Sequence, residues 1–188
     1  MAWRRLLITV LLIVPVIWLL AFGFTRDAHY ITSPLLAKEA APFAVTLFDG
    51  HKISLKDLRG KAVFLNFWAS WCVPCRAEAK DLEAAWQRVK DRNMLFLGVA
   101  VQDAEKDSRA FLKEFNITYP NGWDEVGKIA VNYGVWGVPE SFFIDPHGRI
   151  TYKHVGGIRA ALVTAKLEEA ARSIVSAKEG KETYQPIR

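Results

Sequence analysis

Both cysteines of this 188-residue chain lie in one stretch, Trp71-Cys72-Val73-Pro74-Cys75. Two thiols at this spacing can close a disulfide across the first turn of a helix, because residues i and i+3 lie on neighbouring parts of the helical surface. So small a ring holds no distant parts of a chain together, and it suits exchange better than architecture. Cys72 falls at the helix N-terminus, where unpaired amides favour a thiolate and make it the attacking sulfur. Cys75, one turn in and on the apolar face, reads as the shielded resolving thiol. Pro74 sits in the first turn, where its missing N–H costs nothing. Other uses of a cysteine pair fit less well. A zinc site wants four ligands, but His29, His51, His147 and His154 are scattered. A c-type haem needs a histidine directly after the second cysteine, and Arg76 stands there. A purely structural disulfide would close only a tiny loop. The pair needs no metal or organic cofactor.

The elements around the pair must hold it in place. Ala62 to Trp68 is almost wholly apolar, the mark of a strand covered on both faces. The helix after it is expected from about Val73 to Asp91, with Cys75, Ala79, Leu82, Trp86 and Val89 on one face. Met94 to Val101 reads as the next central parallel strand, and Ala104 to Asn116 as an amphipathic helix with Phe111, Leu112 and Phe115 inward. Pro120-Asn121-Gly122 marks a turn after a short strand, and Asp124 a cap for a helix from Glu125 to Tyr133. Glu140 to Asp145 and Arg149 to Val155 form an antiparallel hairpin across Pro146-His147-Gly148. A helix from Arg159 to Val175 follows, with Leu162, Ala165, Leu167, Ala170 and Ile174 inward. Upstream, Phe43 to Phe48 and His51 to Leu55 flank Asp49-Gly50, a tight hairpin. Alternating strands and helices with an antiparallel end give an α/β sheet with helices on both faces.

The N-terminus is different in kind. Leu6 to Thr25 holds no charge, and as a helix it would be about 30 Å long, the thickness of a bilayer's hydrocarbon core. Arg4 and Arg5 precede it without an acid, so residues 1–25 read as a cytoplasmic N-terminus and transmembrane anchor with the remainder outside. A cleaved signal peptide with Ala21-Phe22-Gly23 as its site is the competing reading; the length of the run and Trp18 favour retention. Residues 26–41 read as a tether, 42–175 as the folded domain and 176–188 as a loose tail. The absence of further cysteines agrees with an oxidising compartment. A net charge of +5 is small, and nothing in it points to nucleic acid.

Taken together, Trp71-Cys72-Val73-Pro74-Cys75 at a strand-to-helix junction and Gly134-Val135-Trp136-Gly137-Val138-Pro139-Glu140-Ser141-Phe142-Phe143-Ile144-Asp145 resemble two separated motifs of the thioredoxin superfamily. More narrowly, residues 33–172 resemble membrane-anchored thiol-disulfide proteins of the DsbE/CcmG, ResA and TlpA type, which serve cytochrome c maturation. Ser33-Pro34-Leu35 matches that branch, but Ala37-Lys38 stands where it carries Gly-Lys, so the backbone there is expected to differ. The resemblance implies a thioredoxin-like α/β fold, a central mixed sheet with an added N-terminal β-hairpin. It also implies a cis peptide at Val138-Pro139 facing the disulfide, with the Val138 backbone and Pro139 binding an extended client alongside Trp71 and Pro74. Acids at Glu78 and Glu140 become part of the site, able to move a proton as the resolving thiol reacts. The implied reaction is reduction of a disulfide in apocytochrome c or a partner of that pathway, with electrons from a membrane-embedded thiol carrier, on the periplasmic or extracytoplasmic side of a bacterial inner membrane. A general extracytoplasmic disulfide reductase and a redox-switched client-binding module stay open as alternatives. Ala69, in place of the threonine usual three residues before a peroxidatic cysteine, weakens a thiol peroxidase; a Cys-x3-Cys copper chaperone is wrong in spacing by one residue.

Overall fold

In a computed structural model of the protein, residues 2–24 and 36–178 are described. They fall into two compact units, Met1–Thr32 and Ser33–Arg188. In the first, α1 runs from Ala2 to Phe24, with Pro15 inside it and Trp18 stacked on Phe22. Among the described residues no helix is long and apolar enough to cross a membrane; the side chains of Leu6, Ile8 and Leu20, which interrupt that run, lie outside them. Most of the tether, Ile174 as a side chain and residues 179–188 also lie outside the described residues.

The second unit is an α/β domain. Its elements are β1 (Ala44–Thr46), β2 (Lys52–Ser54), a 3-10 turn (Leu55–Leu58), β3 (Ala62–Trp68), α2 (Val73–Val89), β4 (Met94–Val101), α3 (Glu105–Glu114), β5 (Asn121–Asp124), α4 (Lys128–Asn132), β6 (Glu140–Ile144), β7 (Ile150–Val155) and α5 (Ala160–Lys178). Five strands form one mixed sheet in the order β5-β4-β3-β6-β7. β3 lies at the centre, parallel to β4 with Asn66 opposite Gly98, and antiparallel to β6 with Asn66 opposite Ser141. Every residue of β3 is buried, as its apolar run, interrupted only by Asn66, requires. Period-two alternation sends Val63, Leu65 and Phe67 to a core with Tyr133, Phe142 and Ile129, and Phe64 to one with Leu82, Val89, Phe96, Phe143 and Leu167. Thus α4 covers one face, and α2 and α5 the other. β1 and β2 pair antiparallel, Val45 opposite Ile53.

The segment 36–48 runs along both edges of the sheet. Ala37 and Ala40 donate to the carbonyls of Ile150 and Gly148 at β7, and Ile150 donates back to Lys38. At the other edge Phe48 donates to the Asn121 carbonyl of β5, and Leu47 bridges Gly122. Ala37 has φ 63°, the left-handed backbone that glycine takes freely, so alanine is held there by these bonds.

Four local expectations need correcting. Asn121-Gly122 opens β5 instead of a turn: a Cβ on Gly122 would come within 2.5 Å of Val45 and 2.9 Å of the Thr46 carbonyl, so this glycine allows close approach and bends nothing. Asp124 does not start α4, whose N-cap is Gly127, although its carboxylate accepts the Ala130 N–H over 2.9 Å. On α5 Leu167 and Ala170 lie inward as expected, but Val163 takes the buried place expected of Leu162, which is half-buried, and Ala165 is exposed. On α2, which ends at Val89, Glu78 joins the buried face and Trp86 is only half-buried.

Candidate functional site

β3 ends at Trp68, whose indole stacks on Phe111 and donates to Asn121 Oδ1 over 2.9 Å. That bond needs Gly98, because a Cβ there would stand 1.8 Å from Asn121 Oδ1. The chain then crosses Ala69-Ser70-Trp71 and enters α2 with Cys72 as N-cap and Pro74 in the first turn. Cys72 and Cys75 are joined in a disulfide with Cα atoms 5.2 Å apart, and the Cys75 N–H points at Cys72 Sγ over 3.2 Å. Once the bond opens, that amide and the helix N-terminus favour the Cys72 thiolate. Both sulfurs are buried, so shielding does not separate attacking from resolving thiol; position on the helix does. Across the site, Val138-Pro139 is cis, and the Val138 carbonyl oxygen lies 3.4 Å from Cys72 Sγ. Trp71, Val73 and Trp136 are exposed, Trp136 to 96%. Pro74 abuts the loop at Gly157, where an added Cβ would touch its ring and carbonyl.

Glu78 is one turn beyond Cys75 and 5% exposed. Its Oε2 accepts the Ile158 N–H over 2.8 Å, and its Oε1 accepts from Asn66 Nδ2 over 3.3 Å. Asn66 also donates to Ser141 Oγ over 3.1 Å, and its own Oδ1 has no partner. Burial outweighs the two hydrogen bonds and raises the Glu78 carboxyl to about 7. A carboxyl poised there exchanges protons near neutrality. Glu140 is built differently. Its Oε1 accepts the N–H groups of Trp136 and Gly137, over 2.8 and 3.3 Å. Its Oε2 lies 2.7 Å from Lys153 Nζ, an ion pair outside hydrogen-bond geometry. Lys153 also donates to the Gly134 carbonyl over 3.2 Å and lies over the Phe142 ring. The pair therefore brackets the loop 134–137 from both ends.

Of the eight residues singled out from sequence, Cys72, Cys75, Pro74, Trp71, Val138 and Pro139 gather around the disulfide. Glu78 lies beneath on α2, and Glu140 backs the cis-proline loop. Sequence reasoning missed Asn66, Ser141, Lys153 and Asp103. Asn66 had a signal, as the one polar residue in an apolar strand. Among the described residues no cluster of three or more His, Cys, Asp or Glu could hold a metal.

A disulfide at a helix N-cap, opposite a cis-proline loop on a mixed sheet, defines a thioredoxin-like thiol-disulfide oxidoreductase. Residues 36–153 match the AhpC/TSA family, and the chain belongs to it. It is similar to "Thiol-disulfide oxidoreductase ResA" of Bacillus thuringiensis subsp. konkukian, at 33% identity over 82% of this chain and 88% of that protein. "Thioredoxin-like protein YneN" of Bacillus subtilis is 34% identical over 70% of this chain and 78% of that one. Among solved structures, a thiol:disulfide interchange protein of the thioredoxin family from Chlorobium tepidum superimposes with TM-score 0.66 at 27% identity, covering 74% of this chain and 99% of that one.

Proposed function

We propose that the protein is a membrane-anchored, extracytoplasmic reductant that opens the Cys-x-x-Cys disulfide of apocytochrome c, or of a partner in that pathway, before haem attachment. The observation that carries the exchange reading is the Cys72–Cys75 disulfide at the N-cap of α2, facing the Val138-Pro139 loop with the buried Glu78 beneath it; the reductive direction rests on the similarity to proteins of the ResA type. In the reduced protein the Cys72 thiolate attacks one client sulfur, forms a mixed disulfide and expels the other as a thiolate. Cys75 loses its proton to Glu78 and attacks Cys72 Sγ, which closes the Cys72–Cys75 bond and releases as a thiolate the client sulfur that Cys72 had captured. Two electrons pass from the dithiol to the client. A membrane-embedded dithiol carrier returns them, and no metal or organic cofactor takes part.

Trp71, Pro74 and the Val138-Pro139 edge contact the client, whose extended backbone pairs with the main chain of the half-buried Val138. Glu140 holds that edge in place through Lys153. The uncharged run of α1 anchors the chain in the bacterial inner membrane with Arg4 and Arg5 on the cytoplasmic side; the tether expected over 26–41 ends before residue 36, because Ala37 to Ala40 are bonded to the sheet edge, and the catalytic domain runs from there through α5.

The test is the equilibrium of the full chain in detergent with glutathione, together with reduction of a disulfide-closed peptide carrying Cys-x-x-Cys-His. A potential at or somewhat above roughly −270 mV with turnover of the peptide is the expected result. A potential near about −120 mV makes the protein a disulfide donor and ends the reductant reading.

A further inference from the structure

Ser70 and Trp71 leave β3 beyond its last paired residue, yet both are tied to one dipeptide at the end of β4. Ser70 donates its N–H to Asp103 Oδ2 over 2.7 Å and its hydroxyl to Oδ1 over 2.8 Å. The same carboxylate accepts the Ser108 hydroxyl over 2.8 Å and the Ala104 N–H over 3.0 Å. Four donors thus fix it between the active-site loop and the first turn of α3. Next to it the Gln102 carbonyl accepts the Trp71 indole N–H over 3.0 Å, and the Asp103 carbonyl accepts that of Trp123 over 3.0 Å. Gln102 has φ 49°, a left-handed backbone uncommon for a residue with a side chain, and in that conformation its carbonyl faces Trp71. The indole is held at its N–H while the residue stays 58% exposed, next to exposed Val73.

We propose that Asp103 and Gln102 are positioning residues for client recognition: they clamp Ser70 and Trp71 so that a fixed indole face stands beside Cys72. This rests on the reading of Trp71 as a client contact. An aromatic surface that is already ordered costs a client less on binding than one it must immobilise. The sulfurs are organised separately, by the Cys75 N–H and the N-terminus of α2, so the clamp acts on which disulfides are met and not on how a thiolate attacks.

The experiment uses the full chain in detergent, reduced beforehand, with two probes. One is a disulfide-closed Cys-x-x-Cys-His peptide; the other is hydroxyethyl disulfide, too small to use Trp71 while it reacts. The readout is the ratio of their second-order rate constants, together with the indole N–H resonance of Trp71 in proton–nitrogen spectra. Asp103→Ala is expected to lower the ratio about fivefold, the size of one aromatic contact, and to shift that resonance. Asp103→Asn, which keeps one acceptor oxygen, recovers part of both. Should Asp103→Ala not fold, Trp71→Phe keeps a ring but removes the tether to Gln102, and the ratio still falls at least twofold. An unchanged ratio, with or without a shifted indole, overturns the clamp, as does an equal loss with both probes. Failure of the underlying reading looks different: Trp71→Ala then matches wild type in the ratio, or wild type reduces neither probe.

Discussion

Replacing Glu78 by Gln isolates one ionisation and gives it a sign. The carboxyl rises from 4.5 to about 7 on folding because burial disfavours its charge. The folded protein therefore holds this proton more tightly than the unfolded chain. Below about pH 4.5 both states are protonated and the contribution is complete; as pH rises toward 7 the unfolded chain ionises first and stability is lost. At 1.36 kcal/mol per unit, the interval amounts to about 3 kcal/mol. The substituted glutamine stays neutral throughout, keeps an acceptor for the Ile158 N–H, and can give its amide to the unpartnered Asn66 Oδ1. Urea unfolding of the Ser33–Arg188 unit, oxidised, at steps from pH 4 to 8.5 supplies the comparison. Wild type minus Glu78→Gln should fall by about 3 kcal/mol between pH 4.5 and 7.5 and level off beyond, with m-values unchanged. Because every other titrating group is common to both proteins, it cancels. A difference that stays flat within about 0.5 kcal/mol across that window, or that rises with pH, would mean that the bonds from Ile158 and Asn66 outweigh burial, and the proton-exchange role would lose its basis.

Cys75→Ser should accumulate a mixed disulfide with the client peptide, seen as an added peptide mass on the intact protein, whereas Cys72→Ser should give none; the reverse pattern would exchange the two roles. Lys153→Met leaves Glu140 buried without its counter-charge and should cost about 3 kcal/mol in urea unfolding; a loss under about 0.5 kcal/mol would mean that the bracket is weak. Gly98→Ala drives a Cβ into Asn121 and toward the Trp68 indole, so a loss of about 1–3 kcal/mol with altered Trp68 fluorescence is expected, and an unchanged denaturation midpoint would contradict that packing.

The sulfur chemistry was legible because it is local. A Cys-x-x-Cys pair at a strand-to-helix junction leaves its mark in four residues, and the apolar run of β3 could only be a buried strand. Glu78 was legible as a position but not as an environment: its burial depends on Ile158 and Asn66, far apart in sequence, which periodicity on α2 alone cannot reveal. For Glu140 the sequence suggested a proton carrier, while Lys153, which faces it from β7, shows a loop bracket. β5 was hidden for a related reason. Asn121-Gly122 has the composition of a turn, and only the close passage of Val45 and Thr46 explains a glycine inside a strand. On α5 Leu167 and Ala170 were placed correctly, but Leu162 and Ala165 were not, because small alanines on both sides of the helix blur a 3.6-residue pattern.

The segment 36–48, hydrogen-bonded to β7 at one end and β5 at the other, also sets an order of events at the ribosome. It is made early, but the strand that receives Ala37 and Ala40 is made late, after nearly all of the sheet. Until then the β6 border of the growing sheet carries unpaired amides and carbonyls, the template on which chains join one another, while the β5 border already has Leu47 and Phe48 to cover it. Closing contacts so distant in sequence is slow, so the nascent domain passes through an interval in which its β6 edge is open and the Ala37–Ala40 part of its N-terminal cover has nowhere to bind. Destabilising changes at Ala37 or Gly122 should therefore show first as lost yield and aggregation during synthesis, before any loss of thiol activity in the molecules that fold.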